Sequence, residues 1–311
     1  MNKNKVVVTG GAGFIGSHLA EGLAKCGYQV TILDNLSTGK MENIEGLINN
    51  PSVEFIQGNI NDLDLLQKAF KGARYIFHQA ALPSVPRSVE NPLASNDVNL
   101  NGTLNVLIAA RDNKVEKVIY ASSSSVYGDT PTLPKNEDMT PNPLSPYAVS
   151  KLAGEYYCRV FQSVYGLPTV CLRYFNVFGP RQDPESPYAA VIPLFIKKAL
   201  SKESPVIYED GEQTRDFTFV KDVIAANIVL AESNACGIFN ISRQKSVTVN
   251  HLAELIIELT GNNIAPVYHK ERPGDIRHSL ADISKARGIG FQPAYDLKAG
   301  LTETIEWFSN G

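Results

Sequence analysis

Residues 5–16 read KVVVTGGAGFIG, and this stretch decides the fold of the chain. The β-branched run before the glycines predicts a buried strand, and apolar residues at three- and four-residue spacing over 14–26 predict a helix directly behind it. Gly10, Gly13 and Gly16 let the backbone turn tightly and approach a pyrophosphate, whose charge meets the positive end of the helix. The segment therefore predicts a dinucleotide site at the end of the first strand.

Short strand-like runs alternate with helical stretches from this segment to residue 175. The strand-like runs lie at 5–9, 29–33, 53–56, 74–78, 116–121 and 168–174, and the helical ones at 14–26, 62–70, 99–112 and 147–165. Such alternation is typical of a parallel sheet covered by helices on both faces. We therefore predict an α/β fold, a Rossmann-type doubly wound parallel sheet with a smaller α/β C-terminal substrate domain.

The regular alternation of strands and helices ends after residue 175, where segments rich in proline, glycine and charged residues begin. Residues 218–244 again indicate a helix followed by a strand, which returns the chain to the sheet. We predict a cofactor-binding domain of 1–175 plus 218–244 and a substrate-binding domain of 176–217 plus 245–311.

The composition argues against nucleic-acid, membrane and metal partners. The 311-residue chain has a net charge of -3, so it carries no basic field that would attract nucleic acid or anionic lipid. Its start lacks the pattern of a signal peptide, and no apolar run reaches the length of a membrane span. Its 4 cysteines and 5 histidines do not cluster. We expect a cytoplasmic protein with reduced thiols, no metal and a small-molecule ligand.

The second predicted strand ends in Asp34, 18 residues after Gly16. A carboxylate at this point accepts hydrogen bonds from a ribose diol and repels a 2'-phosphate. No arginine follows it directly, so the sequence favours NAD over NADP. Other strand ends point to the same crevice and carry Asn59-Ile60, Ala80-Ala81 and the serines 122–125.

Tyr147 and Lys151 are four residues apart, on one face of a helix introduced by Pro143 and Pro146. A free tyrosine titrates near pH 10, and an adjacent ammonium, helped by the positive nicotinamide ring of NAD, favours the phenolate. We therefore expect a lowered pKa for Tyr147 and a role as general base. A hydroxyl of the preceding serine run can share the proton.

With these motifs, the chain closely resembles the extended short-chain dehydrogenase/reductase superfamily and, within it, the UDP-hexose 4-epimerases. The resemblance runs nearly end to end. It rests on residues 10–16, Asp34-Asn35, His78 to Ala81, Ser122 to Gly128, Ser145 to Tyr147 with Lys151, Arg173 to Pro180, Thr214 to Asp216, and Arg272 to Asp275.

The resemblance implies reversible, NAD-dependent epimerisation at C4 of a UDP-hexose through a 4-keto intermediate. Tyr147 takes the proton of the 4-hydroxyl, with Lys151 beside it. Three residues before Val126, the family's catalytic serine or threonine falls on Ser123, with Ser124 as the alternative. The resemblance also implies a homodimer through helices near 99–112 and 147–165.

The strand ends and the resemblance together give a predicted cofactor site. Its residues are Gly10, Gly13, Phe14, Ile15, Gly16, Asp34, Asn35, Ser37, Gly39, Asn59, Ile60, Gln79, Ala80, Ala81, Asn99, Ser122, Tyr147, Lys151 and Tyr174. Asn59 departs from the aspartate usual in the family, but its amide can still bond adenine.

The resemblance also implies a substrate site. Its residues are Asn176, Val191, Tyr208, Arg215, Arg272, Asp275 and Ser279. Asn176 and the two arginines would meet the diphosphate, Asp275 the ribose, and Tyr208 the uracil. Arg215 and Arg272 could instead be solvated or paired with Asp216 and Asp275. Tyr208 and Tyr174 could be core aromatics.

Two features narrow the reaction and the sugar. Dehydratases of the superfamily use an Asp-Glu pair after the catalytic serine or threonine, and UDP-glucuronate decarboxylases use a glutamate near it, whereas this chain has Ser124-Ser125. Seven residues after Arg272, where epimerases restricted to plain hexoses can carry tyrosine, the chain has Ser279. We therefore expect UDP-GlcNAc and UDP-GalNAc to be accepted as well as UDP-glucose and UDP-galactose.

Three alternatives stay open beside this hypothesis. Another nucleotide-sugar-modifying short-chain dehydrogenase is the first, and a non-catalytic NAD-binding sensor on the same fold is the second, because a fold does not confer a function. The third is net oxidation or reduction, with the cofactor leaving in each cycle.

Overall fold

The fold is described by a computed structural model that covers residues 4–270 and 276–310. The strands are β1 Lys5–Thr9, β2 Gln29–Asp34, β3 Val53–Gln57, β4 Tyr75–His78, β5 Lys117–Ser123, β6 Thr169–Tyr174, β7 Val177–Phe178, β8 Val206–Tyr208, β9 Thr214–Asp216, β10 Thr218–Phe219, β11 Gly237–Ile241, β12 Ser246–Thr248 and β13 Val267–His269. The helices are α1 Phe14–Lys25, α2 Glu45–Ile48, α3 Leu63–Ala69, α4 Val85–Glu90, α5 Pro92–Asn96, α6 Gly102–Asp112, α7 Pro146–Tyr165, α8 Val191–Leu200, α9 Val220–Glu232, α10 Val249–Leu259, α11 Ser284–Arg287 and α12 Leu297–Asn310.

A seven-stranded sheet forms the centre of the fold, in the order β11-β6-β5-β4-β1-β2-β3. Every pair of neighbours in it is parallel. The order reverses between β1 and β4, and this is where a doubly wound sheet opens a crevice at its carboxyl edge. The predicted α/β fold is confirmed.

Helices cover both faces of the sheet, so the central strands are buried on both sides. On one face, Leu19 and Leu23 of α1 and Leu230 of α9 belong to the larger apolar core. On the other face, Val106 of α6 and Phe161 of α7 belong to a second core. This explains why the strands read as continuous apolar runs rather than as an alternating pattern.

The chain returns to the sheet late, as the pattern over 218–244 predicts. Strand β11 follows α9 and pairs in parallel with β6, placing Ile241 beside Tyr174. The remaining short strands form the pairs β10-β7, β12-β9 and β13-β8 outside the large sheet. The exact division into a cofactor domain and a substrate domain stays a prediction.

Two boundaries differ from the sequence-based prediction by two or more residues. Strand β5 extends to Ser123, beyond the predicted end at 121, and so reaches into the serine run. The helix predicted over 99–112 begins as a π-helical turn, Asp97–Asn101, before α6. Within 4–270 and 276–310, no helix is long and apolar enough to cross a membrane.

Candidate functional site

The glycine-rich turn packs too tightly for side chains. Gly10 has a φ of +70°, and a Cβ on it would lie 2.6 Å from the backbone of Ala80. A Cβ on Gly16 would lie 2.1 Å from the carbonyl oxygen of Gly10. Among the described residues, no side chain caps the start of α1, where Phe14 and Ile15 follow Gly13. The N–H groups and positive end of the helix therefore suit a pyrophosphate.

Asp34 closes the same crevice from the end of β2, with a side chain that is only 6% exposed. Its Oδ2 accepts a hydrogen bond from the Ala12 amide at 2.9 Å, and its Oδ1 accepts one from the Leu36 amide at 2.8 Å. Each oxygen keeps a lone pair for a ribose hydroxyl. A Cβ on Gly39 would lie 2.9 Å from these oxygens, so this position also suits a close ligand.

The other predicted cofactor residues lie at the strand ends in different environments. Asn35, Ser37 and Asn59 are exposed, Ile60 is buried, and Gln79, Ala80 and Ala81 are half-buried after β4. The Tyr174 hydroxyl accepts a hydrogen bond from Asn227 Nδ2 at 2.9 Å and lies 3.2 Å from Gln79 Nε2. Burial raises the pKa of Tyr174 to about 12, so it stays a neutral phenol.

Two of the predicted cofactor residues direct their side chains into the protein. Asn99 accepts from the Leu82 amide at 2.7 Å, and its Nδ2 donates to the Leu82 carbonyl at 3.1 Å and to Ser150 Oγ at 3.2 Å. It therefore fixes the loop after β4. Ser122 donates to Glu155 Oε1 at 2.5 Å, which leaves its backbone as the part available to a ligand.

Tyr147 lies at the start of α7, close to the side chain of Ser123 at the end of β5. Burial raises the pKa of Tyr147, and the neighbouring Ser123 side chain offsets part of that increase. Ser124 begins the neighbouring 3-10 turn Ser124–Tyr127. Of the two predicted serines, the structure thus brings Ser123 to the tyrosine.

Lys151 follows one helical turn later and is 3% exposed. Its Nζ donates to the Ala121 carbonyl at 2.9 Å and lies 5.8 Å from the centre of the Tyr147 ring. Burial lowers the pKa of Lys151 to about 8. The protein's own groups thus do not produce the expected lowering of the Tyr147 pKa, because burial outweighs the opposite effect of Ser123. The predicted lowering of the Tyr147 pKa also depended on the positive nicotinamide ring of NAD, which is not part of the chain.

A cleft of about 250 Å³ lies beside β8, β9 and the start of α8. Its lining includes Asn176, Val191, Tyr208 and Arg215, four of the predicted substrate residues. Arg215 Nη1 donates to the Thr214 carbonyl at 2.9 Å. An arginine beside aromatic and apolar side chains suits a ligand with a planar ring and a phosphate.

Gln182 and Gln213 also line this cleft, and no motif in the sequence predicts them. Their Nε2 atoms donate to the carbonyls of Val177 at 3.2 Å and Tyr208 at 3.0 Å. Their Oε1 atoms are buried without a hydrogen-bond partner among residues 4–270 and 276–310. Buried acceptors of this kind are normally satisfied, so these two suit donors on a ligand.

Ser279 is half-buried beside the cleft-lining strand, with its amide donating to the Thr214 carbonyl at 3.1 Å. The Asp216 carboxylate accepts from Ser242 Oγ at 2.5 Å and from the Ala281 amide at 3.1 Å. Arg272 and Asp275, the other predicted substrate residues, lie outside the described residues.

The chain matches a known protein family in sequence and a solved structure in fold. Residues 6–242 match the model of the NAD dependent epimerase/dehydratase family. The fold is similar to a UDP-N-acetylglucosamine 4-epimerase from Methanobrevibacter ruminantium M1, solved in complex with UDP-N-acetylmuramic acid, with a TM-score of 0.97 and 50% identity over 100% of this chain and 99% of that one.

Two curated relatives of this chain are named for different activities. A UDP-glucose 4-epimerase from Mycolicibacterium smegmatis is 40% identical over 312 residues, 98% of this chain and 99% of the relative. A UDP-N-acetyl-alpha-D-glucosaminuronate decarboxylase from Bacillus cytotoxicus is 37% identical over 319 residues, 98% of both chains.

Proposed function

The chain belongs to the NAD dependent epimerase/dehydratase family, and from that premise we propose that it interconverts UDP-hexoses at C4, with and without an N-acetyl group at C2. The predicted family resemblance and NAD as the cofactor are confirmed. One observation carries the proposed reaction: Tyr147 lies beside Ser123 and one turn from Lys151, with no carboxylate in the serine run 122–125.

The cofactor crevice fits NAD. The uncapped start of α1 suits the pyrophosphate, and the Asp34 carboxylate suits the adenosine ribose. When bound, NAD supplies reversible hydride transfer at C4 of the sugar. The Asp34 carboxylate would repel a 2'-phosphate, which supports NAD over NADP.

The protein's own residues would handle the proton of the 4-hydroxyl. Tyr147 removes it as a phenolate, Ser123 hydrogen-bonds with the phenol oxygen, and the Lys151 ammonium stabilises the negative charge that develops there. The 4-keto sugar then turns beside Tyr147, and Tyr147 returns the proton. Because the tyrosine both takes and gives the same proton, the residues need no external acid or base.

The cleft would hold the nucleotide part of the substrate. Arg215 and Asn176 suit the diphosphate, and Tyr208 suits the uracil ring. The buried Oε1 atoms of Gln182 and Gln213 suit ligand hydroxyl or N–H donors. Roles for Arg272 and Asp275 in binding the diphosphate and ribose remain part of the proposal.

Ser279 supports acceptance of the N-acetyl sugars. It is half-buried beside β9. The family resemblance puts this position near C2 of the sugar, where a small side chain would leave room that a tyrosine would fill. The relative with 50% identity is named as a UDP-N-acetylglucosamine 4-epimerase, which points in the same direction.

The proposed activity is tested by a product assay on UDP-glucose, UDP-galactose, UDP-GlcNAc and UDP-GalNAc. We expect each sugar to be converted to its C4 epimer, and NAD to be released on denaturation without net NADH accumulation. Loss of CO2 from a UDP-uronate would indicate a decarboxylase, and a 6-deoxy-4-keto product a dehydratase. Tight NAD binding with no turnover of any sugar would indicate a sensor.

We also propose that the chain forms a homodimer through α7. Val149, Tyr156, Val160 and Val164 repeat at seven and four residues along one side of this helix and are 44–65% exposed. A self-complementary apolar stripe of this kind suits a second copy of the same helix across a two-fold axis. Light scattering should give twice the chain mass, and Val160→Glu should give the monomer mass.

A further inference from the structure

A buried amide connects the turn that follows Ser123 with the segment that carries Ser279. The amide belongs to Asn240 in β11, whose side chain is 0% exposed. Its Oδ1 accepts a hydrogen bond from the Tyr127 hydroxyl at 2.7 Å. Its Nδ2 donates to the backbone carbonyls of Lys135 at 2.9 Å and Asp282 at 3.0 Å. Because carbonyls only accept hydrogen bonds, this amide has one possible orientation.

On one side, Asn240 holds the end of the serine turn. Tyr127 closes the 3-10 turn Ser124–Tyr127, which follows directly on Ser123. Its ring is 1% exposed, and the Arg173 guanidinium lies 4.6 Å from the ring centre. With the ring enclosed and its hydroxyl bonded to Asn240, the position of the turn depends on this amide.

On the other side, Asn240 holds the segment that contains Ser279. Lys135 pairs with this segment like a short strand, since its amide donates to the Leu280 carbonyl at 2.8 Å and its carbonyl accepts from the Asp282 amide at 2.8 Å. Asn240 Nδ2 bonds both the Lys135 and the Asp282 carbonyls, so it ties the two strands of this pair together. Ser279 lies three residues before Asp282.

We propose that Asn240 is a positioning residue that couples the serine turn to the Ser279 segment, so that one buried contact sets both proton transfer and sugar selectivity. The inference rests on the proposed function. A merely structural role for the same amide would lower stability and leave the selectivity between sugars unchanged. The two roles therefore differ in a measurable quantity.

The test is Asn240→Asp, a variant of almost the same shape that places an oxygen against the two carbonyls. We expect kcat to fall about tenfold on both UDP-glucose and UDP-GlcNAc, and the ratio of their kcat/KM values to change at least about threefold. The matched control is Asn262→Asp. Asn262 Nδ2 also donates to two backbone carbonyls, those of Ala199 at 2.8 Å and Thr260 at 3.3 Å, near α8 and α10. We expect this control to keep both kcat and the ratio.

A folded Asn240→Asp variant that keeps either the unmodified kcat or the unmodified ratio would overturn the inference. So would a change in ratio that the Asn262 control shares. If Asn240→Asp does not fold, Tyr127→Phe decides: it removes one hydroxyl and keeps both Nδ2 bonds, so kcat should fall about fivefold with the ratio retained. An unchanged kcat overturns the inference. An unmodified enzyme that converts none of the sugars overturns the proposed function itself, which makes the two failures distinguishable.

Discussion

The Glu155 carboxylate receives two hydrogen bonds from the Arg173 guanidinium, at 2.8 Å from Nε and 2.7 Å from Nη2, and both side chains are 1% exposed. This buried ion pair joins α7 to β6. Because Glu155 lies one helical turn beyond Lys151, the pair fixes the height over the sheet of the face of α7 that carries Lys151. Ser122 bonds the same carboxylate, so the end of β5 is fixed with it.

Glu155→Gln should therefore destabilise the protein strongly, because it leaves a buried guanidinium without its counter-charge. We expect the free energy of unfolding to fall by about 3–5 kcal/mol, measured by denaturant titration. The surface pair of Lys298 and Glu258, at 3.0 Å, provides the control, and Glu258→Gln should change stability by less than about 1 kcal/mol. Equal losses of unfolding free energy in the two variants would show that the buried ion pair contributes no more to stability than the surface pair.

Tyr147→Phe should remove the group that exchanges the proton of the 4-hydroxyl. We expect kcat for UDP-glucose to fall about 1000-fold, while the NAD content after denaturation stays the same. Tyr165→Phe, at the exposed end of the same helix, is the control and should keep full turnover. Substantial turnover by the Tyr147 variant would show that another group moves the proton.

Ser123→Ala and Ser124→Ala should differ, because Ser123 is the serine whose side chain acts on the Tyr147 hydroxyl. We expect kcat to fall about 30-fold for Ser123→Ala and no more than about threefold for Ser124→Ala. Circular dichroism should show that both variants are folded. The reverse order of effects would assign the proton-sharing role to Ser124.

Lys151→Met should lower kcat and raise the free energy of unfolding. Burial lowers the pKa of Lys151 to about 8, so below pH 8 the folded protein holds a charge that the unfolded chain solvates better. We expect a large loss of kcat and a gain of about 2 kcal/mol in the free energy of unfolding at pH 7, after allowing for the lost bond to the Ala121 carbonyl.

The pH dependence of this gain has a defined sign. As pH rises from about 8 towards 10.5, folded Lys151 loses its proton before the unfolded chain does, so the unmodified protein becomes more stable and the advantage of methionine disappears. Denaturant titrations at pH 7 and pH 10 test this. A stability advantage of Lys151→Met that grows with pH would refute the lowered pKa of Lys151.

Ser279→Tyr should narrow the range of sugars. We expect turnover of UDP-GlcNAc and UDP-GalNAc to be lost, and kcat/KM for UDP-glucose to stay within about threefold, since only the space near C2 is filled. Ser279→Ala, which keeps the space, should process all four sugars. If the unmodified enzyme converts no N-acetyl sugar, the proposed role of Ser279 is wrong.

The parts of the site that the sequence predicts are those built from local structure. The glycines of residues 10–16 lie on one turn, and Tyr147 and Lys151 lie on one helix, so spacing alone places them together. Asp34 could be predicted because the end of a strand meets the same sheet edge as its neighbours.

The parts that the sequence does not predict depend on burial. The Oε1 atoms of Gln182 and Gln213 have no hydrogen-bond partner within the described parts of the chain, and they are buried only because the segments around the cleft come together. Likewise, the spacing of Tyr147 and Lys151 predicts a lowered tyrosine pKa, but the depth of the site raises it instead. Desolvation is a property of the whole packed structure, so no local pattern reveals it.

The late return of β11 to the sheet has a consequence for biosynthesis. Strand β6 has six buried side chains, and its outer edge is covered only by β11, after the 62 residues between Tyr174 and Gly237. At ribosomal speeds this interval is on the order of ten seconds. During that time the nascent chain presents an open, apolar edge strand, on which another nascent copy can pair. The topology therefore leaves this edge of β6 open to wrong pairing until β11 has been synthesised.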